Sequence, residues 1–251
     1  MKRRGLAALI AALAVIAVGI LISFFLSLTA KNTGNYTISL PGQSTAAIDD
    51  MGLIREKNRE TVQAVTIDED NVQAVIGALE RPERYQSVYV ITYYYGEDSA
   101  AFTGTIAANG TLSYAKTVNE SGEDLFHALL SERWTYVWGE DETYRRFPRK
   151  TRDADLYACA PTYEDLLAIP REQIVKASVD EVDGELCLLV LSREPVSGEE
   201  QEWRILVDCG VLLTMESRNE GRITYSAVLA TLSLDPPEDR FFLLPDGKHP
   251  E

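Results

Sequence analysis

The chain has 251 residues, with 39 acidic against 24 basic side chains and a formal charge of −15. Such an excess of negative charge repels nucleic acid and anionic lipid headgroups, so we exclude nucleic acid as a partner. The length allows one substantial core or two small ones.

Residues 1–30 have the pattern of a short basic tip followed by a transmembrane signal anchor. Basic residues at positions 2–4 precede an uncharged, apolar stretch, Gly5–Leu28, which would make roughly 36 Å of helix against a hydrocarbon layer of about 30 Å. A cleaved signal peptide is the alternative, although Leu28 occupies a position where a cleavage site after Ala30 would need a small residue. A buried helix of a soluble protein is a third, less favoured interpretation. Because the basic residues precede the span, we expect the domain to lie outside the cytoplasm, tethered to the cell membrane.

Residues 31–65 are predicted as a polar tether followed by a segment without a readable pattern, and residues 66–251 as the extracytoplasmic domain. The first predicted helix begins near Asp68, where Thr66 and Glu69 have capping-box spacing. Its apolar face has helical spacing and consists of Val72, Val75, Ile76 and Leu79.

Runs of β-branched and aromatic residues then predict strands from Ser87 onward. The turn sequences Asn109-Gly110, Asp183-Gly184 and Asn219-Glu220-Gly221 indicate hairpins. Two more capping-box spacings predict short helices, one from Ser121 and Asp124 to Leu130 and one from Thr162 and Asp165 to just before Pro170. The pattern is that of an α+β fold, mainly antiparallel β, with about eight or nine strands.

The order of elements over residues 66–247 resembles the periplasmic lipoprotein-carrier (LolA/RseB-like) superfamily. The matching pieces are the helix-to-strand segment Asp68–Tyr95, the segment WTYVWGEDETYRRF, the hairpin headed by Asp208 and Gly210, and the closing RFFLLPDG. The resemblance implies a curved half-barrel sheet whose concave face is covered by short helices, and an apolar cavity that binds acyl chains or lipoproteins. A membrane anchor departs from carriers that shuttle freely, so a fixed sensor, scaffold or acceptor fits better.

Large rings are the first candidate site. Trp134, Tyr136 and Trp138 alternate along one strand and share a face, and together with Trp203 they are predicted to line a cavity for a lipid or acyl ligand. The competing interpretation is that these rings fill an ordinary core.

A basic cluster is the second candidate site. It consists of Arg145, Arg146, Arg149, Lys150 and Arg152, within a strongly acidic chain. Its sign predicts docking of an anionic wall polymer, a phosphate or an acidic envelope protein. The alternative is a solvated loop whose charges pair with nearby acids.

Cys187 and Cys209 face each other across two strands if their hairpin centres on Gly198, which would permit a disulfide outside the cytoplasm. Two separate core cysteines are the alternative, because the register is not fixed by the sequence.

No catalytic motif, metal site or cofactor site is predicted. The histidines, His127 and His249, are distant in sequence and form no nucleophile–base pair. We therefore expect a non-enzymatic protein that binds an apolar, lipid-like ligand or senses the state of the envelope. The alternatives are an assembly component of an envelope complex that docks its partner through the basic cluster, and, third, a hydrolase that uses paired carboxylates.

Overall fold

The computed structural model describes residues 48–149 and 158–251. The predicted anchor at residues 1–30, nearly all of the polar tether, and two members of the basic cluster, Lys150 and Arg152, lie outside these ranges. Within them, no helix combines the length and the apolar character that a bilayer crossing requires.

Eleven strands form one antiparallel sheet, accompanied by three α-helices in the described ranges. The helices are α1 (Ile48–Gln63), α2 (Val72–Ala78) and α3 (Tyr163–Ala168). The strands are β1 (Arg84–Tyr95), β2 (Asp98–Asn109), β3 (Leu112–Asn119), β4 (Asp124–Leu130), β5 (Trp134–Trp138), β6 (Arg145–Pro148), β7 (Ile174–Val182), β8 (Glu185–Arg193), β9 (Glu200–Leu206), β10 (Leu212–Asn219) and β11 (Arg222–Ser233).

The strand order is β6-β5-β4-β3-β2-β1-β11-β10-β9-β8-β7. The first meander, β1 to β6, therefore runs from the centre of the sheet to one edge, and the second, β7 to β11, runs from the other edge back to the centre. The two meet where the first strand, β1, pairs with the last, β11. In that pair Ile91 lies opposite Ala227 and Tyr93 lies opposite Tyr225. The sheet is open, with β6 and β7 at its edges.

Most predicted strands and turns are confirmed. The sharpest case is the turn between β7 and β8, where Asp183 and Gly184 have φ values of 53° and 87°. Two residues of positive φ match the right-handed twist of the flanking strands, which is why Asp-Gly predicts this turn.

The predicted helix from Ser121 to Leu130 is wrong, because residues 124–130 form strand β4, paired with β3 and with β5. The turn before it is closed by Asn119 and Glu123, which exchange two side-chain hydrogen bonds of 2.7 and 2.9 Å. Strand pairing on both sides outweighs a capping-box pattern whose local energy is small.

The other two predicted helices are present. For α2, the N-cap is Asn71 rather than Thr66, and it makes no side-chain capping hydrogen bond. In the turn before the helix, Asp68 and Asn71 each accept a 3.1 Å hydrogen bond from the other's backbone N–H. For α3, Thr162 and Asp165 form the predicted capping box.

The buried side chains form two clusters on opposite faces of the first meander. Ala128 and Leu130 belong to the larger cluster and Leu129 to the smaller one, as strand alternation requires. The larger cluster also includes residues of all three helices and of both meanders. The smaller cluster consists of Ala107, Tyr114, Leu129, Tyr136, Trp138, Phe242 and Leu244, so the C-terminal segment covers the face opposite the helices.

Helix α1 is attached mainly through polar contacts. Arg59 donates two hydrogen bonds of 2.6 and 2.9 Å to the carboxylate of Asp208, and Arg55 lies 2.9 Å from the same carboxylate. Asn58, fully buried, exchanges hydrogen bonds of 2.9 and 2.7 Å with the backbone of Glu80. Asp208 belongs to the pair that carries the family resemblance, and here it holds α1 on the sheet.

Candidate functional site

The helix-covered face of the sheet is filled by its own side chains. Tyr89 and Ile91 of β1, together with Leu229 of β11, are buried in the larger cluster with Ile76 of α2 and Leu166 of α3. The pocket that remains beside them has a volume of about 50 Å³, whereas ligand pockets commonly hold roughly 300–1,000 Å³. A long acyl chain does not fit into it.

The four rings of the predicted cavity do not come together. Tyr136 and Trp138 lie in the smaller cluster, and Trp134 packs against that cluster. Trp203 is buried in the larger cluster. The three β5 rings thus share a face, as the alternation predicted, but they pack under the C-terminal segment rather than opposite Trp203.

Exposed aromatic rings instead gather where the helices stop covering the sheet. We call Tyr93, Tyr95, Phe102, Ile223 and Tyr225 the tyrosine patch. The Tyr93 ring meets Phe102 and Tyr225 edge-on, at centroid distances of 6.0 and 5.0 Å. Tyr93, Tyr95 and Ile223 are 42%, 58% and 38% exposed, so the patch offers apolar surface to a partner.

The patch follows directly from strand alternation. Tyr89, Ile91, Tyr93 and Tyr95 point to the same face of β1, and only the first two are covered. Burial raises the pKa of Tyr93 and of Tyr225, so both phenols stay neutral at physiological pH. The sequence pattern predicted these tyrosines only as strand formers; three consecutive tyrosines at the end of a strand were the available signal.

Acidic turns surround this end of the sheet. Antiparallel order brings the turns after β1, β3, β5, β8 and β10 to the same end, and each contains at least one carboxylate. These turns contribute Glu97, Glu120, Glu123, Glu140, Asp141, Glu142, Glu194, Glu199 and Glu220. A cationic partner is therefore attracted to the end of the sheet that carries the tyrosine patch.

Two of the three described members of the basic cluster have structural partners. Arg146 lies 2.6 Å from the Glu251 carboxylate, and its guanidinium stands 4.3 Å over the Trp134 ring. Arg149 donates to the Ser131 carbonyl at 2.8 Å. Arg145 is exposed on β6. Arg146 and Arg149 thus fix the C-terminus and a neighbouring turn.

His127 lies in a hydrogen-bonded chain on the face opposite the helices. Its Nδ1 is 2.8 Å from the Tyr114 hydroxyl, its Nε2 is 3.3 Å from Asp124, and Lys116 lies 2.7 Å from the other Asp124 oxygen. Trp138 stacks on the imidazole at 5.2 Å. Burial lowers the pKa of His127 and raises that of Tyr114. Tyr114 itself is buried.

All three cysteines are free thiols, and the predicted disulfide between Cys187 and Cys209 is absent. Cys187 lies opposite Leu206 in the β8–β9 pair, because the hairpin centres earlier than Gly198. Cys209 therefore falls beyond the paired strand, in the turn before β10. In the described ranges no group of three or more His, Cys, Asp or Glu side chains is arranged around a metal position.

No family model and no curated protein matches the chain. Several solved structures are similar at low identity. An uncharacterized conserved protein from Thermus thermophilus aligns with 82% of this chain and 95% of its own at 10% identity and a TM-score of 0.41. MucB in complex with MucA(peri) aligns with 63% of this chain and 53% of its own, at 12% identity and a TM-score of 0.38. A LolA superfamily protein from Nitrosomonas europaea aligns with 76% of this chain and 96% of its own, at 12% identity and a TM-score of 0.30. The last carries the name of the superfamily that the sequence resembles.

Proposed function

We propose that this chain is a membrane-anchored, non-enzymatic docking domain that faces outward and binds a basic, amphipathic segment of an envelope protein on its tyrosine patch. The observation that carries the proposal is the contiguous exposure of Tyr93, Tyr95 and Ile223 beside the end of β1, beyond the part of this face that the helices bury. Tyrosine rings supply large contact area at low conformational cost, which is why they are frequent at protein interfaces.

Charge selects the class of partner. The acidic turns around the patch repel acidic proteins and attract lysine- or arginine-rich segments, and they accelerate the encounter at low salt. An apolar contact at the patch combined with an acidic rim calls for a segment that is apolar on one side and basic on the other.

This location replaces the basic cluster as the docking surface. Arg146 and Arg149 are engaged with the chain's own carboxylate and carbonyl groups, so binding a partner there would break existing contacts. The tyrosine patch also replaces the predicted cavity as the place of apolar contact, because the pocket on the helix-covered face is small. The membrane anchor rests on the apolar stretch Gly5–Leu28 and the basic residues before it.

Binding of a synthetic leucine–lysine amphipathic peptide tests the proposal. The full chain in zwitterionic nanodiscs is titrated into the labelled peptide, and fluorescence anisotropy gives the Kd. Tyr95→Ser is expected to weaken binding roughly tenfold, as loss of an interface aromatic does. Raising the salt from about 50 to about 300 mM should weaken it further.

Tyr94→Ser is the matched control, because Tyr94 is 39% exposed but points to the opposite face of β1. Equal losses for Tyr94→Ser and Tyr95→Ser would refute docking at the patch. A peptide with glutamate in place of lysine should not bind. Binding of lipid vesicles without peptide, abolished by Tyr95→Ser, would instead assign the patch to a lipid-like ligand.

A further inference from the structure

The small pocket on the helix-covered face lies at the opposite end of the sheet from the tyrosine patch. We call it the Arg81 pocket; its lining includes Arg81, Tyr85, Ser87, Tyr163, Gly210 and Val211. Its volume of about 50 Å³ holds a group the size of a few water molecules. Ile106 and Leu212 add apolar wall.

Arg81 brings a cation to this pocket. Its guanidinium donates to the carbonyls of Leu79, Ile76 and Gly210 at 2.7, 2.9 and 3.0 Å and stacks 3.2 Å from the Tyr163 ring. Among residues 48–149 and 158–251, no carboxylate lies within ion-pair distance of Arg81. Only carbonyl dipoles, the Tyr163 ring and more distant acids thus offset a partly buried positive charge, and burial lowers the pKa of Arg81.

Ser87 brings an unsatisfied hydroxyl to the same pocket. The residue is 1% exposed, and its Oγ has no hydrogen-bond partner within the described part of the chain. A buried polar atom without a partner costs free energy, so such atoms usually meet a ligand or an ordered water. Ser87 lines the same pocket as the Arg81 cation.

We propose that the Arg81 pocket binds the carboxylate of a small apolar acid. Arg81 supplies the opposite charge and Ser87 Oγ–H donates a hydrogen bond; a carboxylate only accepts, which matches two donors. The apolar walls favour an acid with an aliphatic tail over a fully hydrated inorganic anion. The shared chemistry fits both a short fatty acid and the C-terminal carboxylate of a peptide.

Isothermal titration calorimetry on the full chain in zwitterionic nanodiscs tests this site. The probes are N-acetyl-leucine, which resembles a peptide C-terminus, and butyrate, which resembles a short fatty acid; N-acetyl-leucine amide is the uncharged control. At least one acid should bind and the amide should not. Stronger binding of N-acetyl-leucine assigns the site to a chain terminus, and stronger binding of butyrate assigns it to a fatty acid.

Ser87→Ala separates binding from folding. Because Ser87 Oγ has no protein partner in the described ranges, the variant should keep or raise its unfolding midpoint and yet bind the preferred acid about tenfold more weakly, the usual effect of losing a hydrogen bond to a charged group. Arg81→Lys keeps the charge but loses the planar set of guanidinium N–H donors, so this variant should also bind the acid more weakly. The proposal is overturned if neither acid binds, if the amide binds equally well, or if Ser87→Ala leaves acid binding unchanged.

Discussion

Burial of a single ionisable side chain makes the stability of this protein depend on pH, and His127 is the clearest case. Burial lowers the pKa of His127 below its ordinary value of about 6.5. The unfolded chain then takes up the proton first as the pH falls. The stability linked to His127 is therefore complete above pH ~6.5 and is lost as the pH falls from there toward the folded-state pKa.

We predict that wild-type protein unfolds at a lower urea concentration at pH 5.5 than at pH 7.5, and that His127→Gln removes most of this difference. Histidine is the side chain that ordinarily titrates in this interval. Urea unfolding followed by fluorescence measures both midpoints. His249→Gln is the matched control because the chain has only two histidines. A pH dependence that survives in His127→Gln and vanishes in His249→Gln would assign the effect to the tail.

At the scale of secondary-structure elements, α1 shows how far polar contacts can attach a helix. The residues of α1 that face the core are Met51, Asn58 and Val62, so the central one carries a polar amide. Both arginines of the helix form ion pairs with Asp208. The Asp208 side chain is 11% exposed while those of the arginines are about half exposed. The carboxylate is therefore the member whose loss matters most.

We predict that Asp208→Asn destabilises the folded chain by about 1–3 kcal/mol, the range for losing hydrogen bonds between a nearly buried carboxylate and charged donors. It should also release α1, so that trypsin cleaves after Arg55 and Arg59 faster than in wild type. Asp246→Asn is the control, since Asp246 pairs with the exposed Lys248 in the tail, where such pairs contribute little. Equal proteolysis of the two variants would show that Asp208 does not hold α1.

The same element explains why some of the fold was unreadable in the sequence. Strands, the Asp-Gly turn and α3 were predictable because alternation, turn chemistry and capping act locally. Helix α1 was not, because its central inward residue, Asn58, is polar and its partners, Glu80 and Asp208, are distant in sequence. The strand β4 was mistaken for a helix because its pairing partners, rather than its own residues, decide its conformation.

At the scale of the whole molecule, the sheet joins distant parts of the sequence into one surface and one core. The acidic residues were visible in the sequence, but only the strand order shows that five turns carry them to the same end. The tyrosine patch likewise needs β1 beside β11, a pairing across more than a hundred residues. Sequence alone could therefore supply the charge and the rings of the candidate site, and could not place them together.

The pairing of β1 with β11 also predicts how the molecule unfolds. The larger cluster runs through both meanders, from Ala128 in β4 to Leu188 in β8, so neither meander can open without exposing the core of the other. Unfolding should then be a single cooperative transition. Two probes, one in each meander, can test this.

Fluorescence reports on the first meander. Trp134 and Trp138 lie on β5, and Trp203→Phe silences the only other tryptophan. This substitution loses packing in the core but no hydrogen bond, because Trp203 Nε1 has no partner within the described ranges.

Thiol labelling reports on the second meander. Cys187 and Cys209 are buried, and burial raises the pKa of each to about 12, so neither forms the reactive thiolate until the chain opens. Cys159→Ser removes the exposed thiol. In the double variant, with no reductant added, we predict that two thiols become reactive at the same urea midpoint as the loss of tryptophan fluorescence. Labelling at clearly lower urea would mean that the second meander opens by itself and that the β1–β11 pair does not couple the two.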